Sequence, residues 1–173
     1  MSCTSTGAGA EPLNGCGAVT SIVLVARRGM SSSHGVRRVV RVGTCGAIAG
    51  DVQLGDLVLA LGAGTDSSVN RLRFGGYDLA ATASWPLLSR VAAQALPGGT
   101  PIRVGRVFSS DFFYHPDKEL PALLQRFGFL ALDMETAGLY GLAAELGVEA
   151  LSVLTVSDHL IGGNHMSAEQ RET

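Results

Sequence analysis

Residues 37–46 read RRVVRVGTCG, a β-branched run that passes into a hydroxyl residue between two glycines. The valines favour a buried strand over residues 37–42, and Gly43 is predicted to end it. Apolar runs of the same kind follow over residues 56–61, which Gly62 is predicted to end, and over residues 102–108, 129–132 and 150–156; residues 21–26 form a weaker candidate.

Helical patterns separate these strands. Ser84, which a Trp-Pro pair follows, has the chemistry of a helix start. Asp117 is predicted to cap a second helix that Gly128 ends, and a third helix is closed by Gly147. Strands that alternate with amphipathic helices predict an α/β domain with a largely buried sheet.

The composition excludes several classes of protein. Of 173 residues, 46% are hydrophobic and 16% are charged, which is too apolar for a disordered chain. The net charge of −2 gives no global field for nucleic acid or membrane, and no run approaches the ~18 apolar residues of a membrane span. Three cysteines without metal-ligand spacing predict neither a disulfide scaffold nor a metal site, so a cytoplasmic location is expected.

Polar residues gather where predicted strands end, which is where open α/β sheets bind ligands. The first group is Arg41 with Gly43, Thr44 and Gly46, where glycines let an anion approach the backbone. A strand that simply enters a glycine turn explains the same pattern. Cys45, with no histidine near it in the sequence, is more consistent with a packed thiol than with a nucleophile.

Three further groups follow other strands. Residues 109–114 read SSDFFY, whose aromatic side chains suit either a flat ligand or the core. Asp133 and Glu135 precede a helix, so helix capping and ligand binding are both open. Ser157 and Asp158 follow the last strand, and a carboxylate at the end of a buried strand favours a functional role.

The motifs together resemble a family. VRVGTCGAI, GAGTDSSVNRLRF, SSDFFY, LDMETAGLYGLAAELG and TVSDH…SAEQRE stand in the order and spacing of the bacterial high-molecular-mass purine nucleoside phosphorylases, over residues 35–173. The resemblance implies a three-layer α/β/α sandwich around a mixed sheet, assembled as a homohexamer. It also implies phosphorolysis of purine (deoxy)ribonucleosides to the base and (deoxy)ribose 1-phosphate, with phosphate as co-substrate and no cofactor or metal.

The resemblance also implies residue roles. Phosphate binding falls on Arg41, Val42, Gly43 and Thr44. Nucleoside binding falls on Cys45, Gly46, Phe113, Asp133, Met134, Glu135, Ser157 and Asp158. The catalytic pair is Asp158, the acid that protonates the leaving purine, and Arg171, which assists it.

Residues 1–34 depart from the family pattern. They lack the glycine-rich GDPxRA-type loop that supplies a second arginine to the phosphate, and the composition up to Gly17 predicts a mobile leader. We therefore expect a member truncated at both ends. Two alternatives stay open: a related nucleosidase that uses water, and a non-catalytic nucleoside-binding or assembly subunit.

Overall fold

A computed structural model describes residues 22–27, 36–94, 99 and 101–161. Within these ranges the elements follow in the order β1 (Ile22–Arg27), β2 (Val36–Ala47), β3 (Leu57–Thr65), α1 (Val69–Arg73), β4 (Ala81–Thr82), α2 (Trp85–Ala92), β5 (Ile102–Ser109), α3 (Leu120–Arg126), β6 (Phe129–Asp133), α4 (Thr136–Leu146) and β7 (Glu149–His159). The predicted mixed α/β architecture is confirmed. Of residues 1–34, which were predicted as a leader, only residues 22–27 are described, and they form β1; the rest lie outside the described residues.

The strands form one mixed sheet that closes on itself. Strand β2 pairs in parallel with β7 and, through its last residues, antiparallel with β6. Parallel pairs β6–β5 and β5–β3 follow, and β3 returns antiparallel to β7. These pairs close a ring in the order β2–β6–β5–β3–β7. Outside the ring, β1 pairs with β2 and β4 pairs with β3.

Three predicted strand ends are wrong. β2 continues through Gly43 to Ala47, and β3 continues through Gly62 to Thr65. Neither glycine has a positive φ, so both are extended and provide space rather than a turn. β7 likewise runs to His159, so Ser157 and Asp158 lie within the strand rather than after it.

The helix ends agree better with the sequence. Ser84 is the N-cap of α2, and Gly147 ends α4 in the left-handed conformation with φ 64°. Ser84 Oγ accepts the Ala150 N–H at 2.9 Å, which fixes the start of α2 to β7. The predicted cap of α3 is displaced, because Glu119 is its N-cap and Asp117 instead accepts the Glu119 N–H at 2.9 Å.

Helices cover the sheet at two buried clusters. In one, Tyr140 of α4 packs with Val58, Val107, Leu154 and other small apolar residues of the ring. In the other, Leu120 and Leu124 of α3 pack with Ile48, while Phe108 and Phe129 flank them. None of the helices in the described ranges combines the length and apolarity that a membrane crossing requires. The packing leaves the carboxyl ends of the strands to form the site.

Candidate functional site

The closed sheet brings the predicted groups to one edge. Gly46 of β2 is in register with Asp158 of the parallel strand β7 and with Leu132 of the antiparallel strand β6. β5 and β6 end together, with Ser109 opposite Asp133. Because β2 and β6 overlap only at their last residues, the carboxyl ends of all four strands meet there.

One edge of β2 has a gap at the centre of this region. β7 lies along the opposite edge of β2 from Arg38 to Ala47. On the gapped edge, pairing with β1 reaches only to Val42 and pairing with β6 begins at Gly46. In the described part of the chain, residues 43–45 therefore have no strand partner on that edge. A stretch of extended backbone without a strand partner can hydrogen-bond a small polar ligand.

Arg41 lies beside this gap and is almost fully buried, with 2% of its surface exposed. Its guanidinium forms an ion pair with Glu135, and Nη1 lies 3.4 Å from Asp133 Oδ2. Arg41 and Gly43 share one face of β2 because side chains alternate along a strand. The guanidinium lies over Gly43, where a β-carbon would come within 2.8 Å of Arg41 Nη1.

Asp133 is held from several sides. Ser109 Oγ donates to Asp133 Oδ1 at 2.6 Å, and the Thr136 N–H donates to Oδ2 at 3.1 Å. The Thr136 hydroxyl donates to the same Oδ2, while Ser109 Oγ accepts the Ala137 N–H at 2.9 Å. Thr136 was not identified from the sequence as part of the site. A signal was present, since aspartate is a residue type that often accepts backbone N–H groups at a helix start.

Asp133 caps a helix, whereas Glu135 is available to a ligand. Asp133 accepts the first free N–H of α4 and so caps that helix. Glu135 occupies the N-cap position without a side-chain cap bond, and its side chain is 45% exposed while it pairs with Arg41. Met134 between them is also exposed. Glu135 is therefore the carboxylate that a ligand can reach.

A second polar pair lies at the end of β7. Ser157 Oγ donates to Asp158 Oδ2 at 2.7 Å and lies 3.4 Å from the carbonyl oxygen of Cys45. Burial raises the pKa of the Cys45 thiol far above its ordinary value of 9.0, and the charge of Asp133 raises it further. A thiol kept neutral is a poor nucleophile, so Cys45 is a packed residue. Asp158 remains the proton donor candidate.

The aromatic run after β5 is exposed, so it does not belong to the core. The exposed fractions are 53% for Phe112, 66% for Phe113 and 84% for Tyr114. Asp66 fixes the start of this loop, since its carboxylate accepts Ser110 Oγ at 2.8 Å and the Asp111 N–H at 2.9 Å. His115 Nε2 also lies 3.3 Å from Asp66. Asp66 and His115 were not identified from the sequence, and no local motif marks them.

The side chain of Thr44, which was predicted to bind phosphate, is not brought against Arg41. Thr44 lies three residues after Arg41 on β2, so its side chain is on the opposite face of the strand, together with the exposed Val42. The backbone of Thr44 nevertheless lines the gap. Arg171 lies outside the described residues. Within the described ranges, no three His, Cys, Asp or Glu side chains are grouped so that they could hold a metal ion.

Charged residues gathered at the strand ends of an α/β sheet are typical of proteins that bind a small polar ligand there. Comparison with known proteins is more specific. The model of the phosphorylase superfamily matches residues 2–173, and the chain belongs to that superfamily. The family resemblance predicted from the motifs is thereby confirmed.

Curated relatives agree with this membership. The chain is 48% identical to purine nucleoside phosphorylase DeoD-type 2 of Vibrio cholerae over 141 residues, which is 82% of the chain and 60% of the relative. It is 50% identical to the DeoD-type enzyme of Myxococcus xanthus over 82% of the chain and 59% of the relative. For the Shewanella denitrificans enzyme the identity is 51%, over 81% and 59%. The chain thus spans about 60% of the length of these relatives.

Proposed function

We propose that this protein takes part in phosphorolysis of purine (deoxy)ribonucleosides, releasing the purine base and (deoxy)ribose 1-phosphate. One observation carries the proposal: the buried Arg41 guanidinium lies beside the backbone gap at residues 43–45, next to the exposed carboxylate Glu135. An anion site and a carboxylate that can bind hydroxyls are thus adjacent, as a reaction between phosphate and a sugar requires. The names of the curated relatives support the same reaction.

The phosphate side of the proposal uses Arg41 and the gap. A guanidinium binds phosphate through two parallel hydrogen bonds, and unpaired N–H groups of extended backbone add neutral donors. Phosphate in the gap would contact Arg41 on one face and Thr44 on the other, with Val42 and Gly43 between them. Because Arg41 already pairs with Glu135, a phosphate ion competes with that carboxylate for the guanidinium. Phosphate is the co-substrate, and no cofactor is needed.

The nucleoside side of the proposal lies along β6 and β7. Glu135 accepts hydrogen bonds from the ribose hydroxyls, and Met134 packs against the sugar. Cys45 and Gly46 line the floor, while Phe113 covers the nucleoside from the aromatic loop. Ser157 orients Asp158 through the 2.7 Å hydrogen bond. A protonated Asp158 donates to N7 of the leaving purine, and Arg171 then stabilises the resulting carboxylate.

The charge distribution suits this chemistry. Cleavage of the bond between ribose and purine develops positive charge on the sugar, and a phosphate bound beside the sugar is both the nucleophile and the counter-charge. The negative side chains Asp133 and Glu135 add to that stabilisation from the same edge of the sheet. The proposal places this site in residues 35–173.

Self-association is part of the proposal. Around α1, the apolar side chains Leu72, Phe74 and Tyr77 are 81%, 50% and 73% exposed. Apolar surface of this extent on a folded chain is typical of an interface. A homo-oligomer, and a hexamer by family resemblance, is therefore expected in sedimentation measurements.

The deciding experiment measures base release from inosine and adenosine with and without phosphate. The expected result is release only with phosphate, together with an equal amount of ribose 1-phosphate detected by ³¹P NMR. Free ribose formed without phosphate would instead identify a nucleosidase. Nucleoside binding in calorimetry without any turnover would identify a non-catalytic binding subunit.

A further inference from the structure

The two carboxylates that meet Arg41 differ in access to solvent. The side chain of Asp133 is 0% exposed and that of Glu135 is 45% exposed. We propose that Asp133 does not contact the nucleoside but is a positioning residue that holds the Arg41 guanidinium for phosphate. This inference rests on the proposed function and changes the role that family resemblance implied for Asp133.

Access is the first argument. Asp133 Oδ1 accepts Ser109 Oγ, and Oδ2 accepts both the N–H and the hydroxyl of Thr136 while it faces Arg41 Nη1. Because the side chain of Asp133 is 0% exposed, a ribose hydroxyl could reach this carboxylate only by displacing a group packed around it. Each displaced group would then be buried without a hydrogen bond, which is costly. Glu135 needs no such rearrangement.

The second argument is that the two terminal nitrogens of the Arg41 guanidinium have different partners. Nη1 faces the buried Asp133, and Nη2 pairs with the exposed Glu135. A ligand that enters from solvent meets Glu135 first, so the Arg41–Glu135 pair is the one that ligands exchange. The Arg41–Asp133 contact can persist throughout. Asp133 then determines where the guanidinium stays while Glu135 turns to the sugar.

The rigidity of the support is the third argument. Asp133 ends β6 one residue after Leu132, the last β6 residue that pairs with β2, so it borders the gap. Ser109 belongs to β5 and Thr136 to α4, so two further elements fix one carboxylate of β6. Held in this way, Asp133 keeps Arg41 beside the gap at little entropic cost on binding.

The test compares Asp133→Asn with Glu135→Gln in the full chain. For each variant, the phosphate and inosine dissociation constants are measured separately by calorimetry, and KM for both substrates by kinetics. Asp133→Asn should weaken phosphate binding about ten-fold or more and leave inosine binding within about two-fold, because the negative charge that faces Arg41 is lost while Glu135 keeps its carboxylate. Glu135→Gln should show the reverse preference.

A loss of inosine binding in Asp133→Asn, with phosphate binding unchanged, would overturn the inference. If Asp133→Asn fails to fold, Thr136→Val replaces it, because this change removes one donor to Asp133 and keeps all charges. Thr136→Val should raise the phosphate dissociation constant about three-fold without a change for inosine, and Thr136→Ser should restore it. A wild-type chain that binds inosine but not phosphate would contradict the proposed function itself, whatever the variants do.

Discussion

The guanidinium of Arg41 lies against the α-carbon of Gly43, so closely that a β-carbon on Gly43 would be 2.8 Å from Nη1 and 2.9 Å from Cζ. Gly43 is extended and sits within β2, so backbone conformation does not require glycine there. The requirement comes from the side chain two residues earlier on the same face. The missing side chain is what lets a long cationic group remain buried along the strand.

Gly43→Ala should therefore impair phosphate binding more than stability. The β-carbon meets the end of a flexible side chain, so the guanidinium moves by a few tenths of an ångström while the sheet stays intact. We expect the KM for phosphate to rise about ten-fold, as for a weakened charge-assisted contact. The melting temperature should stay within a few degrees of wild type.

Gly50→Ala is the matched control, since nothing lies within 4 Å of its added β-carbon. It should leave both the phosphate KM and the melting temperature unchanged. An unaltered phosphate KM in Gly43→Ala would show that the position of Arg41 over Gly43 has no role in phosphate binding.

The sequence predicts strand interiors well and strand ends poorly. Gly43 and Gly62 look like breakers because glycine is common in turns, yet each lies in an extended strand. At Gly43 the Arg41 guanidinium occupies the space that a β-carbon would need, whereas at Gly62 the neighbouring atoms lie at ordinary contact distance. The course of the Arg41 side chain over Gly43 is fixed by Asp133 and Glu135, which are distant in sequence, so no local pattern contains it. α1 and β4 were missed because five and two residues are too short for a period to show.

The candidate site shows the same limit. Arg41, Asp133 and Glu135 are all identifiable from their places at strand ends. These three side chains pair with one another because β6 runs antiparallel to the last two residues of β2. That strand pairing is a property of the topology, and the amino-acid composition does not reveal it. The difference in exposure between Asp133 and Glu135 follows from Ser109 and Thr136, and it becomes visible only when β5 and α4 are in place.

Gly141→Ala should destabilise the protein strongly. An added β-carbon there would be 2.0 Å from Asn70 Oδ1, and Asn70 is buried with its Nδ2 donating to the Ala137 carbonyl at 2.8 Å. Overpacking of a buried helix contact typically costs ~1–3 kcal/mol. Urea denaturation should therefore show a lower midpoint with an unchanged slope.

Gly138 offers the control on the same helix. Its added β-carbon would lie 3.9 Å from Val69 Cγ1, an ordinary contact. Gly138→Ala should be neutral or stabilising by up to ~1 kcal/mol, because alanine has the higher helix propensity. Equal destabilisation by the two substitutions would show that loss of glycine itself, and not Asn70, is responsible.

Asp158→Asn should lower the turnover number for inosine by ~10²–10⁴-fold, the usual range for a lost general acid, while the inosine dissociation constant changes little. Asparagine keeps the shape that Ser157 Oγ contacts at 2.7 Å but has no acidic proton. Steady-state kinetics and calorimetry measure the two quantities. Asp78→Asn is the control and should keep the wild-type turnover number, because Asp78 is an exposed carboxylate paired with Arg71. A turnover number near the wild-type value in Asp158→Asn would show that Asp158 is not the acid.

Alkaline pH should destabilise the fold through Tyr140. Burial raises the pKa of Tyr140 from 10.0 to about 12, and its hydroxyl donates to the Ala60 carbonyl at 2.6 Å while it accepts the Ser152 N–H at 2.9 Å. The native state therefore holds this proton over a range of pH in which the unfolded state has lost it. Stability from this group is complete below pH 10 and declines as the pH rises toward 12, by at most about 1.4 kcal/mol per pH unit.

Urea midpoints measured from pH 8 to pH 11.5 test this prediction with two variants. Tyr140→Phe should be less stable at pH 8, because two hydrogen bonds are lost, but its midpoint should fall less steeply above pH 10. Tyr77→Phe removes a tyrosine that is 73% exposed and should keep the wild-type slope. Part of the slope should survive in Tyr140→Phe, since the buried Cys45 thiol also has a raised pKa and is linked to folding with the same sign. A Tyr140→Phe profile parallel to wild type would show that the phenol of Tyr140 does not govern alkaline unfolding.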